Sequence, residues 1–311
     1  MTSPYAQSGF RLRFDWGPAG AAEVGAGLVA VVDVLSFTTA VTVAVDQGID
    51  VLPYRWRDES AAAYAEQHDA VLAVGRSQAG ETGISLSPAS IRRGHSLQGP
   101  RTVQRLVLPS PNGSTISQQL AASGSIVLAV SLRNISAAAA WTAARMKDDP
   151  SLTVAAIAAG ERWSDGSLRP AVEDLWGAGG FLTALVAQGV GQLSPEARAA
   201  AAAYRDVADD LPELLYECAG GRELTAYGFP EDVAIAAELD SSKSVPTLED
   251  VAFRQAETVW SPARHTALRG REDLGHGLAF HQGPVSGPGS GAQAAEDQAE
   301  DAFHRDVTDL T

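Results

Sequence analysis

Short apolar runs and longer helix-like stretches alternate along most of this chain. Residues 28–32 (Leu-Val-Ala-Val-Val) form an unbroken, β-branched run, the pattern of a strand buried on both faces. A small-residue helical stretch follows and stops at Gly48, a residue suited to a helix C-terminus. Upstream, residues 10–16 alternate and predict a half-exposed edge strand, and residues 17–26 read as a small-residue loop. Residues 50–54 predict a short strand, Asp58 the cap of a helix over 59–67, and residues 70–74 another strand. A Gly- and Ser-rich loop then covers 75–90; it is long for a compact domain, which marks it as functional or mobile.

From residue 104 the alternation becomes regular. Strands are predicted at 105–109, 125–130 and 152–158, each followed by a polar turn and a helix, at 116–123, 135–146 and 170–188. Residues 194–216 read as one or two helices, 220–225 as a turn, 227–239 as a helix, and 245–246 with 250–253 as a terminal strand. Repeated βα units predict an α/β fold, a three-layer α/β/α arrangement around a largely parallel central sheet. The turns after Val32, Leu108, Val130 and Ala158 are rich in Ser, Thr, Asn, Asp or Gly. In an open parallel sheet such turns share one edge, where ligands bind.

Composition changes the picture at the C-terminus. Residues 269–311 turn Gly- and Pro-rich and then acidic, so the folded domain is expected to span 1–268 and the remainder to be a disordered tail. The net charge of −15 argues against nucleic acid as a partner. Lys147 and Lys243 are the only lysines, so arginine carries almost all positive charge. Arginine favours bidentate contacts with oxyanions. Cys218 is the single cysteine, no apolar run is long enough to span a bilayer, and the N-terminus lacks a signal-peptide pattern. These features lead us to expect a cytoplasmic protein with no membrane partner.

The candidate chemistry gathers at the polar turns. Asp33 closes the 28–32 run, and an unpaired carboxylate there must sit at the strand exit, paired or on a metal. Ser36, Thr38 and Thr39 stand at the next helix start, where free N–H groups and the helix dipole favour an anion. An anion beside a carboxylate points to a cation between them. Asn112, Gly113 and Ser114 form a second oxyanion candidate, with Thr115 beside them; Ser131, Arg133 and Asn134 form a third. Glu173 and Asp174, in the first turn of a helix near the same edge, could join Asp33 in holding Mg²⁺; Asp165 is a further acidic candidate. Capped turns and dipole complementarity would account for each group taken alone.

Other signatures are missing. There is no Gly-x-x-x-x-Gly-Lys-Ser/Thr phosphate loop, and Gly25-Ala26-Gly27 precedes its strand instead of following one. Cys218 and Arg222 lie in a helical segment unlike a thiolate phosphatase site. Asp33 has Leu35 two positions on, not a second aspartate, and the six histidines form no zinc-like cluster. What remains is water attack on phosphorus with Mg²⁺ as Lewis acid.

At these residues the chain resembles the 2-phosphosulfolactate phosphatase family, Mg²⁺-dependent enzymes of coenzyme M biosynthesis. The likeness is carried by Val32-Asp33-Val34-Leu35 with Thr38-Thr39, Ser87-Pro88, Asn112-Gly113, Leu132-Arg133-Asn134, Glu173-Asp174 with Ala178-Gly179, and Gly228-Phe229 through Val245-Pro246. It implies a homodimer that hydrolyses 2-phosphosulfolactate to sulfolactate and phosphate. Asp33, Arg133 and Asn134 are then the catalytic candidates. Ser36, Thr38, Thr39, Asn112, Gly113 and Ser114 are the substrate-binding candidates, and Asp33, Glu173 and Asp174 the metal ligands. There are departures. The family's arginine after Asp-Val-Leu is Ser36 here, and its Leu-Gly-Asn-Ser-Pro is Ile84-Ser85-Leu86-Ser87-Pro88. Its Thr-Thr-Asn-Gly-Thr is Ser110-Pro111-Asn112-Gly113-Ser114. Arg76, Arg133 or Arg162 could replace the lost cation. A related phosphatase of another 2-phospho-carboxylic acid, a non-catalytic anion-binding protein, and a subunit that docks a partner through its acidic tail stand as alternatives.

Overall fold

A computed structural model describes residues 3–55, 58–80, 83–97 and 103–257. In chain order the elements are β1 (Leu12–Trp16), α1 (Gly17–Val24), β2 (Leu28–Val32), α2 (Phe37–Asp46), β3 (Asp50–Tyr54), α3 (Glu59–Gln67), β4 (Val71–Leu72), α4 (Pro88–Leu97), β5 (Arg105–Pro109), α5 (Gly113–Ala122) and β6 (Ile126–Val130). They continue with α6 (Ile135–Asp148), β7 (Val154–Ala158), a small hairpin of β8 (Glu161–Arg162) and β9 (Leu168–Arg169), α7 (Val172–Ala187), α8 (Pro195–Val207), α9 (Leu211–Glu217), α10 (Ala219–Ala226), α11 (Pro230–Ala236), β10 (Pro246–Glu249) and β11 (Ala252–Gln255). The chain divides into two units, Met1–Trp260 and Ser261–Thr311. The tail expected at 269–311 lies outside the described residues.

Among the described residues, nine strands form one sheet in the order β1-β7-β2-β6-β10-β11-β3-β5-β4. Five neighbouring pairs are parallel: β1/β7, β7/β2, β2/β6, β3/β5 and β5/β4. The chain is therefore α/β with a mostly parallel sheet between helical layers, as the alternation predicts. β2 is buried on both faces because its alternate side chains serve different layers. Leu28, Ala30 and Val32 pack in the core that holds Phe181, Leu182 and Ala138. Val29 and Val31 pack in the core that holds Phe37, Val41 and Ile116.

One expectation needs refining at this scale. Val32 pairs with Val130 and with Ala158, so the turns after β2, β6 and β7 share an edge. The antiparallel pairings β6/β10, β10/β11 and β11/β3 reverse the sheet's direction three times, so β3, β5 and β4 run opposite to the β2 group. The turn after Leu108 leaves an opposite-running strand and still meets the shared edge, where Gly113 bonds Asp33 and Asn112 bonds Glu161.

Three stretches differ locally. Residues 17–26 contain α1, whose Pro18 suits a first turn and whose Ala21 and Val24 are buried. The end of the 75–90 loop starts α4, again with a proline at its first position, Pro88. The segment read as a turn at 220–225 lies within α10. In the first and last of these, glycines hide helices that tertiary packing stabilises. Elsewhere the pattern holds closely: Asp58 caps α3 by accepting the Ser60 N–H at 3.0 Å.

Candidate active site

The apolar run of β2 ends at Val32, and Asp33 emerges at the shared edge, 6% exposed. Its Oδ1 accepts the Phe37 N–H at 3.1 Å, the first residue of α2. Its Oδ2 accepts the Gly113 N–H at 2.9 Å, the first residue of α5. The anion at these two helix N-termini is thus the protein's own carboxylate, where free N–H groups and both dipoles favour negative charge. Gly113 is required by this approach: a Cβ there would lie 2.7 Å from Asp33 Oδ2 and 2.8 Å from Phe37 Cγ. Burial raises the Asp33 carboxyl to about 6; the two N–H bonds and Arg76 oppose that rise, and Glu173 adds to it.

The first turn of α7 brings two further carboxylates. Asp174 accepts the Val34 N–H at 2.7 Å and the Gly160 N–H at 2.9 Å, tying the exits of β2 and β7 to the helix. Gly177 lets α7 approach, since a Cβ there would fall 2.7 Å from Val32 Cγ1. Burial, then Asp33, then Glu173 push the Asp174 carboxyl well above its ordinary range. Glu173 is raised by burial, with the Cys218 thiol and Arg169 opposing. Burial raises Cys218 itself to about 12, with Glu173 adding to the effect, so it stays a thiol and is no nucleophile.

Sequence reasoning missed Glu161. It opens β8, three residues past the end of β7, and its Oε2 accepts the Asn112 side-chain N–H at 2.8 Å. Burial first, then the Asp33 charge, raise it to about 7. Its signal was present: a carboxylate just beyond a strand that ends on the ligand edge.

Arg76 enters from the loop after β4. Its Nε donates to Asp232 Oδ2 at 3.0 Å, its Nη2 donates to Ser36 Oγ at 2.7 Å, and its guanidinium lies 5.6 Å from the Phe229 ring centroid. Asp232 is buried and also accepts the Ser87 hydroxyl and the Ala89 N–H. The Ser87-Pro88 and Gly228-Phe229 segments, far apart in the chain, therefore converge on one guanidinium.

Other candidate side chains are engaged elsewhere. The Thr38, Thr39 and Ser114 hydroxyls donate to the carbonyls of Asp33, Val34 and Leu108. Asn134 spends its amide on the Ala129 and Ser244 carbonyls and the Ser131 N–H. Arg133 turns away: it pairs with Glu238 and with Asp46, at the far end of α2 from Asp33. A helix of that length spans ~13 Å, which separates this guanidinium from the carboxylate. Arg162 donates to Gly166 O within the β8–β9 hairpin, and Asp165 sits exposed at its tip, accepting from Ser167. Among the described residues no cluster of three or more His, Cys, Asp or Glu side chains has the arrangement of a metal site.

The fold and site define a class: an α/β protein with a mostly parallel sheet whose ligand edge carries clustered buried carboxylates and an oriented guanidinium. The family model described as 2-phosphosulpholactate phosphatase matches residues 19–251. The chain belongs to this family. It is similar to a Deinococcus radiodurans protein named "Probable 2-phosphosulfolactate phosphatase", at 30% identity over 222 residues, 70% of this chain and 86% of that relative.

Proposed function

We propose that this phosphatase hydrolyses 2-phosphosulfolactate to sulfolactate and phosphate, with Mg²⁺ as cofactor. Family membership and the relative's name support the substrate. The observation that carries the reading is Asp33 seated on the N–H groups of Phe37 and Gly113, with other carboxylates around it. The donor set is all oxygen, the chemistry of a hard divalent cation, and the raised carboxyls describe a crowd of negative charge that such an ion would relieve. No three described carboxylates form a ready-made metal site, so Asp33, Glu173 and Asp174 would offer it one or two ligands, with water and phosphate oxygens completing the shell. When bound it supplies Lewis-acid stabilisation of phosphoryl charge.

This chain's own residues do the rest. Gly113 and Phe37 fix the Asp33 carboxylate. Asn112 holds Glu161, whose carboxyl is pushed upward by burial, as the candidate general acid for the leaving alcohol oxygen. The reading takes the enzyme as a cytoplasmic homodimer, the latter checked by light scattering of the purified chain. The decisive assay is phosphate release from 2-phosphosulfolactate and 2-phospholactate, with Mg²⁺ and after chelation. Asp33→Asn should lower kcat by on the order of 10²–10⁴. Turnover of neither ester above that variant's level would refute the assignment.

A further inference from the structure

We infer that Arg76 recognises one further acidic group of the substrate beside the phosphate, a compact oxyanion that is either the carboxylate or the sulfonate. The inference rests on the phosphatase reading and deepens it.

Arg76 is built into the site. Its side chain is 19% exposed, and its partner Asp232 is 1% exposed. Asp232 is itself fixed by the Ser87 hydroxyl and the α4 N-terminus, so the guanidinium hangs from an anchor that does not move with solvent. Phe229 supports it from a second direction. Among the described residues, only Nε and Nη2 have hydrogen-bond partners, Asp232 and Ser36. A guanidinium has five N–H donors, so three remain for a ligand. Nη2 reaches Ser36, the residue before the Phe37 N–H that bonds Asp33, so the guanidinium stands beside the site.

The electrostatics require such a group. The edge carries Asp33, Glu161, Glu173 and Asp174, and a phosphoester with an extra acid brings more negative charge. One divalent ion at the phosphate leaves that further acid uncompensated. Arg169 is less suited, because its charge bears on Glu161 and Glu173 and it faces Glu223 at 4.0 Å. Arg133 is consumed by Asp46 and Glu238. The Ser36 hydroxyl, by contrast, holds Nη2 in place without neutralising its charge. A planar guanidinium reads an oxyanion with two parallel N–H bonds, a geometry that lysine cannot supply.

The test compares steady-state kinetics of wild type, Arg76→Gln and Arg76→Lys on 2-phosphosulfolactate, 2-phospholactate and isopropyl phosphate, which lacks both acids. Arg76→Gln should lose kcat/KM on 2-phosphosulfolactate about 10- to 100-fold more than on isopropyl phosphate, mostly through KM. Arg76→Lys should recover only part of that difference. A loss confined to 2-phosphosulfolactate assigns Arg76 to the sulfonate, and a loss shared equally with 2-phospholactate, which has only the carboxylate, assigns it to the carboxylate. Equal losses on all three esters would overturn the inference, since they mean that Arg76 serves Asp33 or the fold alone. Calorimetry with sulfolactate and lactate separates this failure from that of the phosphatase reading. If wild type cleaves nothing, Arg76→Gln should still lose sulfolactate or lactate binding about tenfold. Binding that is absent in wild type or unchanged in the variant overturns the inference.

Discussion

At the scale of single residues, the site turns on what each side chain is already bonded to. Gly113 is needed because Asp33 reaches its N–H, and any Cβ would displace that carboxylate. Gly113→Ala should therefore lower kcat by roughly 10- to 100-fold while the protein stays folded, measured by phosphate release beside circular dichroism. Arg133 shows the converse. The residue looked catalytic because Leu132-Arg133-Asn134 follows a strand at the ligand edge, but its guanidinium is neutralised by Asp46 and Glu238. Arg133→Ala should cost about 1–2 kcal/mol of stability in urea unfolding, since it removes the buried guanidinium that ties Asp46 to Glu238, although Glu238 keeps Arg92 and Asp46 keeps the Ser242 hydroxyl. The loss in kcat of the folded fraction should be much smaller than that from Asp33→Asn. Arg76, one of three arginines that could stand in for the one absent at position 36, is the one whose guanidinium meets Ser36.

At the scale of elements, α7 and the turn after β7 are joined by one carboxylate. Asp174 satisfies buried N–H groups of Val34 and Gly160 from two different strand exits. Removing it strands both donors, so Asp174→Ala should destabilise the protein by about 2–4 kcal/mol, read as a shift in Tm. The sequence placed β2, β3, β5, β6, β7 and α7 well, because buried strands and capped helix starts have local signatures. It missed α1 and α10, where glycines lower intrinsic helix propensity and packing against neighbours restores the helix. It read 159–169 as a loop and so passed over Glu161, which the β8–β9 pairing turns toward Asn112.

At the scale of the whole molecule, the acidic surroundings of the site set a pH dependence. Asp33 is raised to about 6 and Glu161 to about 7, both chiefly by burial. Between the ordinary carboxyl range and these values the folded protein binds more protons than the unfolded chain. Stability contributed by these groups is therefore greatest at low pH and falls as pH rises through that window. In chelated protein the loss from pH 5 to 8 should be on the order of 1–1.5 kcal/mol from Asp33 and 2–3 kcal/mol from Glu161, and the double variant Asp33→Asn/Glu161→Gln should flatten it. A divalent cation should restore stability at pH 8, where the carboxylates are charged. Chemical denaturation at several pH values, with and without Mg²⁺, measures all three.

By itself the sequence determined the layers and the ligand edge of the β2 group, because hydrophobic period and turn chemistry are local properties. It also singled out Asp33, since a carboxylate closing a doubly buried strand has nowhere to go but the sheet's rim. Only the tertiary structure decided that β10 and β11 reverse the sheet, so that the Asn112–Gly113 turn reaches Asp33 from an opposite-running half. It alone joined Arg76 to Asp232 across 156 positions and bound Arg133 away from the site. The physical reason is common to all three: where a side chain's charge comes to rest depends on partners distant in the chain, and no local pattern encodes them.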